Sequence, residues 1–231
     1  MDPASASEFY FVYEPIISPA GNVLGFEMLT RQNSLNGPCT SIEHLFSQLH
    51  AEHKFDIFYT QLNTLSHQAE YFLEHGLSVS LNVDIEIAEG IIRSVALTNR
   101  LKRMGFIRLE INEHFAELFH PRPQPLLNHL AACCPLWLDD FSADHQHLLP
   151  ATLKQFECIK VDKHFFWQHQ GSEELKSVVQ QLGRSCQGVI VEGVETSEQL
   201  RGLKSMNIKG MQGYLWPARF QHNLESHVSI S

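Results

Sequence analysis

Eight short apolar runs, separated by stretches of helical periodicity, restrict the fold of this chain more than any other feature. They are FYFVY (9–13), VLGFEML (23–29), LSVSLNV (77–83), FIRLEIN (106–112), PLWLD (135–139), CIKVD (158–162), GVIVEG (188–193) and KGMQGY (209–214). Several are apolar at successive positions, so both faces must be covered, as in a parallel sheet flanked by helices. Residues 41–76, 85–103, 173–186 and 197–207 carry apolar side chains at three-to-four spacing and are predicted to be helical. Strands alternating with helices over 231 residues give an α/β class and, within it, a TIM-like (β/α)8 barrel. Only EPIISPAGN separates the first two runs. Its Pro19, Gly21 and Asn22 mark a hairpin turn, so the barrel is predicted to begin with an antiparallel strand.

The polar residues of these runs fall at their ends. Glu27 lies near the end of the second run and Asn82 at the end of the third. Glu110 closes the fourth, with Glu113 beyond it, and Asp139 and Asp140 close the fifth. Lys160 is in the sixth, Glu192 ends the seventh with Glu195 beyond, and Gln212 is in the last. Barrel active sites form where the strands end, so these side chains are predicted to converge on one rim. A cluster of carboxylate and amide oxygens suits Mg2+ or Mn2+. A shared aspartate can bridge two such ions, a pairing suited to hydrolysis of a phosphodiester. Taken singly, each of these residues also reads as a solvated strand end.

Composition narrows the partners. A net charge of -9 argues against direct DNA binding, which needs clustered Lys and Arg. Five cysteines, odd in number and without a CxxC pair, argue against a disulfide framework and for a reducing, cytoplasmic setting. No apolar run approaches the ~18 residues of a membrane span. The opening MDPASASEF is small and polar. It is read as a vector-derived remnant over residues 1–8, leaving 9–231 as a single barrel domain that a regulatory N-terminal domain could precede. Trp137 is expected to pack in or against the barrel, and Trp167 and Trp216 to lie at the surface or rim.

The ordered segments GFEMLTR, SLNV, RLEINE, LDDF, IKVD, VEGVET and MQGYL resemble the motifs of the EAL-domain family of cyclic di-GMP phosphodiesterases, with Met28 where the family has alanine. The resemblance runs from about residue 9 to 220, nearest to compact enterobacterial members. It implies that Glu27, Asn82, Glu110 and Asp139 hold one Mg2+ or Mn2+ ion, and that Asp139, Asp140 and Glu192 hold or organise a second. It gives Lys160 the nucleophilic water and Gln212 the positioning of the metal network. Arg31, with Leu29 and Glu14, would meet the substrate, Arg31 at a phosphate. Glu113 would anchor the loop after Asp140, and Glu195 would support the seventh strand-end loop. The implied reaction is in-line hydrolysis of cyclic di-GMP to linear pGpG.

The chain departs from that pattern in several places. Glu14 replaces a glutamine that faces guanine, although a solvent-pointing Glu14 would change little. DDFSAD replaces Asp-Asp-Phe-Gly-x-Gly, putting Ser142 and Asp144 where glycine would allow positive φ. Asn112 stands for threonine, the proline of GYLWPARF comes early, and the stretch after Arg31 lacks the usual tryptophan. Two functions therefore stand side by side. One is an active phosphodiesterase, possible as a homodimer. The other is a catalytically weak barrel acting as a cyclic di-GMP receptor or as a protein-binding regulator. By family analogy, either would control biofilm, fimbriae or motility.

Overall fold

The structure is a computed structural model and describes residues 9–32, 49–112, 115–119, 124–142, 148 and 150–224. Strand β1 (Phe9–Ile17) folds back on β2 (Val23–Gln32) through a turn closed by two backbone hydrogen bonds. Gly21 sits there at φ 90, a conformation that glycine adopts without strain. The antiparallel register sets Tyr13 against Met28 and Glu14 against Glu27.

From β2 the strands β3 (Ser78–Val83), β4 (Ile107–Asn112), β5 (Leu136–Phe141), β6 (Phe156–Val161), β7 (Gly188–Val191) and β8 (Gly210–Met211) follow in parallel. β8 returns antiparallel to β1 at Ile17, so the sheet closes as an eight-stranded barrel. A short β9 (Arg219–Phe220) pairs antiparallel with β1 at Val12 and Tyr13. The antiparallel opening strand expected from the sequence is present. Its turn is shorter than expected, because β1 continues through Pro15 to Ile17.

Helices α1 (Ala51–His67) and α2 (Ala69–Glu74) connect β2 to β3, and α3 (Ile85–Arg93) and α4 (Val95–Arg103) connect β3 to β4. The single helix predicted over 85–103 is thus two. Ser94 is extended, with φ -113 and ψ 99, and its hydroxyl accepts from Leu97 N–H, so one residue ends α3 and caps α4. The helix predicted over 41–76 divides at Gln68, and its first eight residues lie outside the described residues. Short helices α5 (Pro125–Ala131), α6 (Pro150–Leu153) and α7 (Lys163–His169) went unpredicted. α8 (Glu173–Leu182) and α9 (Ser197–Leu203) are shorter than the periodicity suggested.

Apolar side chains from both faces of the strands explain the runs seen in the sequence. Those facing outward pack beneath the helices, Leu81, Leu109 and Leu138 among them. Those facing inward form a plug of Ile16, Trp137, Cys158 and Ile190. Trp216, expected at the surface or rim, is buried. Cys133, Cys134, Cys158 and Cys186 are free. Among the described residues no helix is long and apolar enough to cross a membrane.

Candidate active site

Strand parity builds the site on top of the inner plug. Side chains two apart on a strand share a face. Trp137, Cys158 and Ile190 in the plug therefore place Asp139, Lys160 and Glu192 directly above them. β1 runs the other way, so Ile16 in the plug places Glu14 above it. The register pairs Asn82 with Glu110 and sets Glu14 against Glu27, so all of these open into the same end of the barrel.

β5 needs one further device. Two consecutive strand residues point to opposite faces, yet both Asp139 and Asp140 reach the site. Leu138 pairs with Ile159 and Phe141 with Val161, so the two aspartates together stand opposite Lys160 alone. This is a β-bulge, and Asp140 holds it at φ 55. Among the described residues it is the one non-glycine with positive φ. Aspartate tolerates that region better than most side chains, at some cost in strain.

Lys160 is the hub. Its ammonium is fully buried beneath the floor of the cavity and lies 3.0 Å from Glu27 Oε2, 3.0 Å from Glu110 Oε2, 3.0 Å from Asp139 Oδ1 and 2.7 Å from Glu192 Oε1. Burial disfavours its charge, but the surrounding acids outweigh that and hold its pKa well above the usual lysine value. One ammonium does not balance so many acids. Burial, the Glu27 charge and the Asp139 charge push Glu110 well above the carboxylate range, against the pull of Lys160. Burial likewise raises Asp139 and, more strongly, Glu192. Of the four acids around Lys160, Glu27 is the one that is lowered. Its burial is overcome by the Lys160 charge and by hydrogen bonds from Gln212, Lys160 and Asn82.

The remaining contacts orient this cluster. Asn82 Nδ2 donates to Glu27 Oε1 at 2.8 Å, which leaves the amide oxygen as its acceptor end. Gln212 Nε2 donates to Glu27 Oε2 at 2.7 Å and reaches Glu14 Oε2 at 3.3 Å. Glu14 Oε1 accepts from Arg31 Nη2 at 2.9 Å, so Glu14 is turned into the site and paired. Trp167 Nε1 donates to Gly193 O at 2.7 Å on the rim. The cavity above the floor measures about 820 Å³, and Leu29, Arg31, Trp167 and an exposed Tyr214 line it.

The donor set fits hard divalent cations. Oxygens of Asp139, Asp140 and Glu192 lie within 4.8 Å of one another. Among the described residues, Glu110 Oε1 and Gln212 Oε1 are buried without a hydrogen-bond partner. Buried acids facing one ammonium, with acceptor oxygens left over, is the electrostatic pattern a cation relieves.

Glu195, expected to support the seventh strand-end loop, lies at the border of the cavity. It is exposed, and its backbone N–H donates to Gln199 Oε1 at 2.8 Å. Glu113 and Asp144 lie outside the described residues. Sequence reasoning did not find the ion pair of Lys54 with Asp84 and Glu86, which also borders the cavity. Its signal in the sequence was a lysine at helical spacing from Ile57, Phe58, Leu62 and Leu65 on the face that also carries Gln61.

The family model for the EAL domain matches residues 2–218. Cyclic di-GMP phosphodiesterase PdeH of Escherichia coli K12 is 27% identical over 213 residues, covering 88% of this chain and 81% of the relative. Anti-FlhC(2)FlhD(4) factor YdiV of Salmonella arizonae is 25% identical over 222 residues, covering 94% and 93%. The crystal structure of the EAL-like domain protein YdiV superposes with a TM-score of 0.84 at 24% identity, covering 97% of this chain and 98% of that one.

Proposed function

The chain belongs to the EAL domain family, and from that premise we propose that it is a metal-dependent phosphodiesterase cleaving cyclic di-GMP to linear pGpG. The observation that carries this reading is the convergence of Glu27, Glu110, Asp139 and Glu192 on one buried ammonium, with Asp140 beside them, at the floor of a cavity. That cavity, at about 820 Å³, is of a size that takes a dinucleotide.

In this reading Asn82, Glu27, Glu110 and Asp139 would hold one Mg2+ or Mn2+ ion, and Asp139, Asp140 and Glu192 would hold or organise the other. The ions, when bound, would lower the pKa of a water and stabilise the negative charge on the phosphoryl and leaving oxygens. The chain's own residues do the positioning. Lys160 gathers the carboxylate oxygens from below, and Gln212 and Asn82 fix the rotamer of Glu27 by donating to its two oxygens. Arg31 supplies a planar cation for a phosphate at the wall.

The second reading is a cyclic di-GMP receptor or protein-binding regulator. It is favoured by the likeness to proteins named anti-FlhC(2)FlhD(4) factors along nearly the whole chain. The test is incubation with cyclic di-GMP and Mn2+ or Mg2+, following pGpG by chromatography. Product that disappears with chelator and with Glu27→Ala supports the enzyme. Absence of product, with nucleotide or protein binding retained, supports the regulator.

A further inference from the structure

Glu14 occupies a position that stability alone does not favour. It lies directly across from Glu27 in the β1–β2 pair, and like charges opposite one another on a sheet repel. A single amide, Gln212 Nε2, stands between them, 3.3 Å from Glu14 and 2.7 Å from Glu27. The other oxygen of Glu14 takes the guanidinium of Arg31 at 2.9 Å. Arg31 lies four residues beyond Glu27 on the same face of β2, and its side chain turns back toward the barrel mouth to make this contact. The pair is partly exposed, at 31% for Arg31 and 19% for Glu14, so it borders the same cavity and is open to a ligand entering from it. Arg31 Nη1 also donates to the carbonyl of Thr30 at 3.2 Å.

We propose that Glu14 is a tethered anion that occupies Arg31 and sets the affinity of the site for phosphodiesters, because a ligand phosphate takes the guanidinium only by displacing the carboxylate. This rests on the reading that Arg31 faces a ligand phosphate. The chemistry is direct. Carboxylate and phosphate compete for the same planar N–H donors, and both are held by the same charge-assisted bonds. Glu14 thus acts as an affinity setting built into the wall, coupled through Gln212 to the carboxylate cluster.

The experiment is a double-mutant cycle on the full chain. Affinity for cyclic di-GMP is measured by calorimetry with Ca2+ present, in wild type, Glu14→Gln, Arg31→Ala and the double variant, with chromatography of each sample for pGpG. Glu14→Gln is expected to bind on the order of tenfold tighter. In the Arg31→Ala background the same change should give less than about a twofold gain. In turnover with Mn2+, the gain should fall on KM more than on kcat. A Glu14→Gln variant that binds no tighter than an active wild type overturns the proposal and leaves the phosphodiesterase standing. A gain of equal size without Arg31 also overturns it. A silent wild type whose Glu14→Gln variant binds nucleotide through Arg31 upholds the proposal and removes the enzyme. Absence of binding in every variant overturns both.

Discussion

Asp140 carries its backbone at φ 55, a strained region for an L-residue, and it does so at a bulge that turns two adjacent carboxylates to one side. Glycine at this position would relieve the backbone but remove an oxygen from the group formed with Asp139 and Glu192. Asp140→Gly is therefore expected to raise the stability of the metal-free protein by about 1 kcal/mol. The same change should weaken Mn2+ binding by at least about tenfold. Urea unfolding and metal titration of one preparation check both. A variant that loses stability as well would mean that the bulge is not strained. Lys160 poses the opposite case. Its ammonium is the charge that holds Glu27, Glu110, Asp139 and Glu192 together. Lys160→Met leaves buried acids without a partner and should cost about 3–5 kcal/mol in chelator. Mn2+ should narrow that difference, and unfolding curves with and without metal measure it.

Whole elements present these residues, and their ends matter as much as their cores. α9 begins at a capping box just past the strand-end loop that carries Glu192. Thr196 Oγ1 accepts from Gln199 N–H at 3.2 Å, and Gln199 Oε1 accepts from the backbone N–H groups of Thr196 at 3.0 Å and Glu195 at 2.8 Å. Thr196→Ala is expected to destabilise the protein by about 1 kcal/mol, read from the urea midpoint at constant slope. Much at this scale was legible in the residues. The two-faced apolar runs gave the parallel strands, and the polar residues at their ends gave the rim, because a strand's period of two forces Asp139, Lys160 and Glu192 above Trp137, Cys158 and Ile190. What could not be read depends on partners distant in sequence. The break at Ser94 lies inside an unbroken helical periodicity, since a capping serine there looks like any exposed polar residue. The bulge is invisible because its second aspartate follows the first without any glycine to announce a positive φ. The Glu14–Arg31 pair is 17 residues apart and is set by the hairpin register, not by any motif.

At the scale of the molecule, the barrel gathers acids from five strands at one end, and this makes its stability depend on pH in an unusual direction. Carboxylates in most folds have lowered values, so acid weakens the fold. Here burial and mutual repulsion raise Glu110 and Glu192 well above 4.5, and raise Asp139 above 3.8. A group raised on folding binds its proton more tightly in the native state. Its contribution is complete below the unfolded value and is lost as pH climbs through the folded value. Glu27 is shifted the other way and keeps its contribution above 4.5, while Lys160, raised above 10.5, stays charged throughout. The metal-free protein is therefore expected to lose stability as pH rises from about 4.5 through the raised values of Glu110 and Glu192. Divalent cations bind the deprotonated acids, so their stabilising effect should grow over the same window, with protons released on binding. Glu110→Gln isolates the effect, because it removes one raised acid while keeping its shape. That variant should show a flatter pH dependence in chelator and a higher Tm than wild type near pH 8, with a smaller shift on adding Mn2+. Thermal melts across pH, with and without metal, decide the matter. A metal-free wild type that grows more stable with rising pH would show that Lys160 already balances the cluster, and that the excess negative charge is not what draws a cation into this barrel.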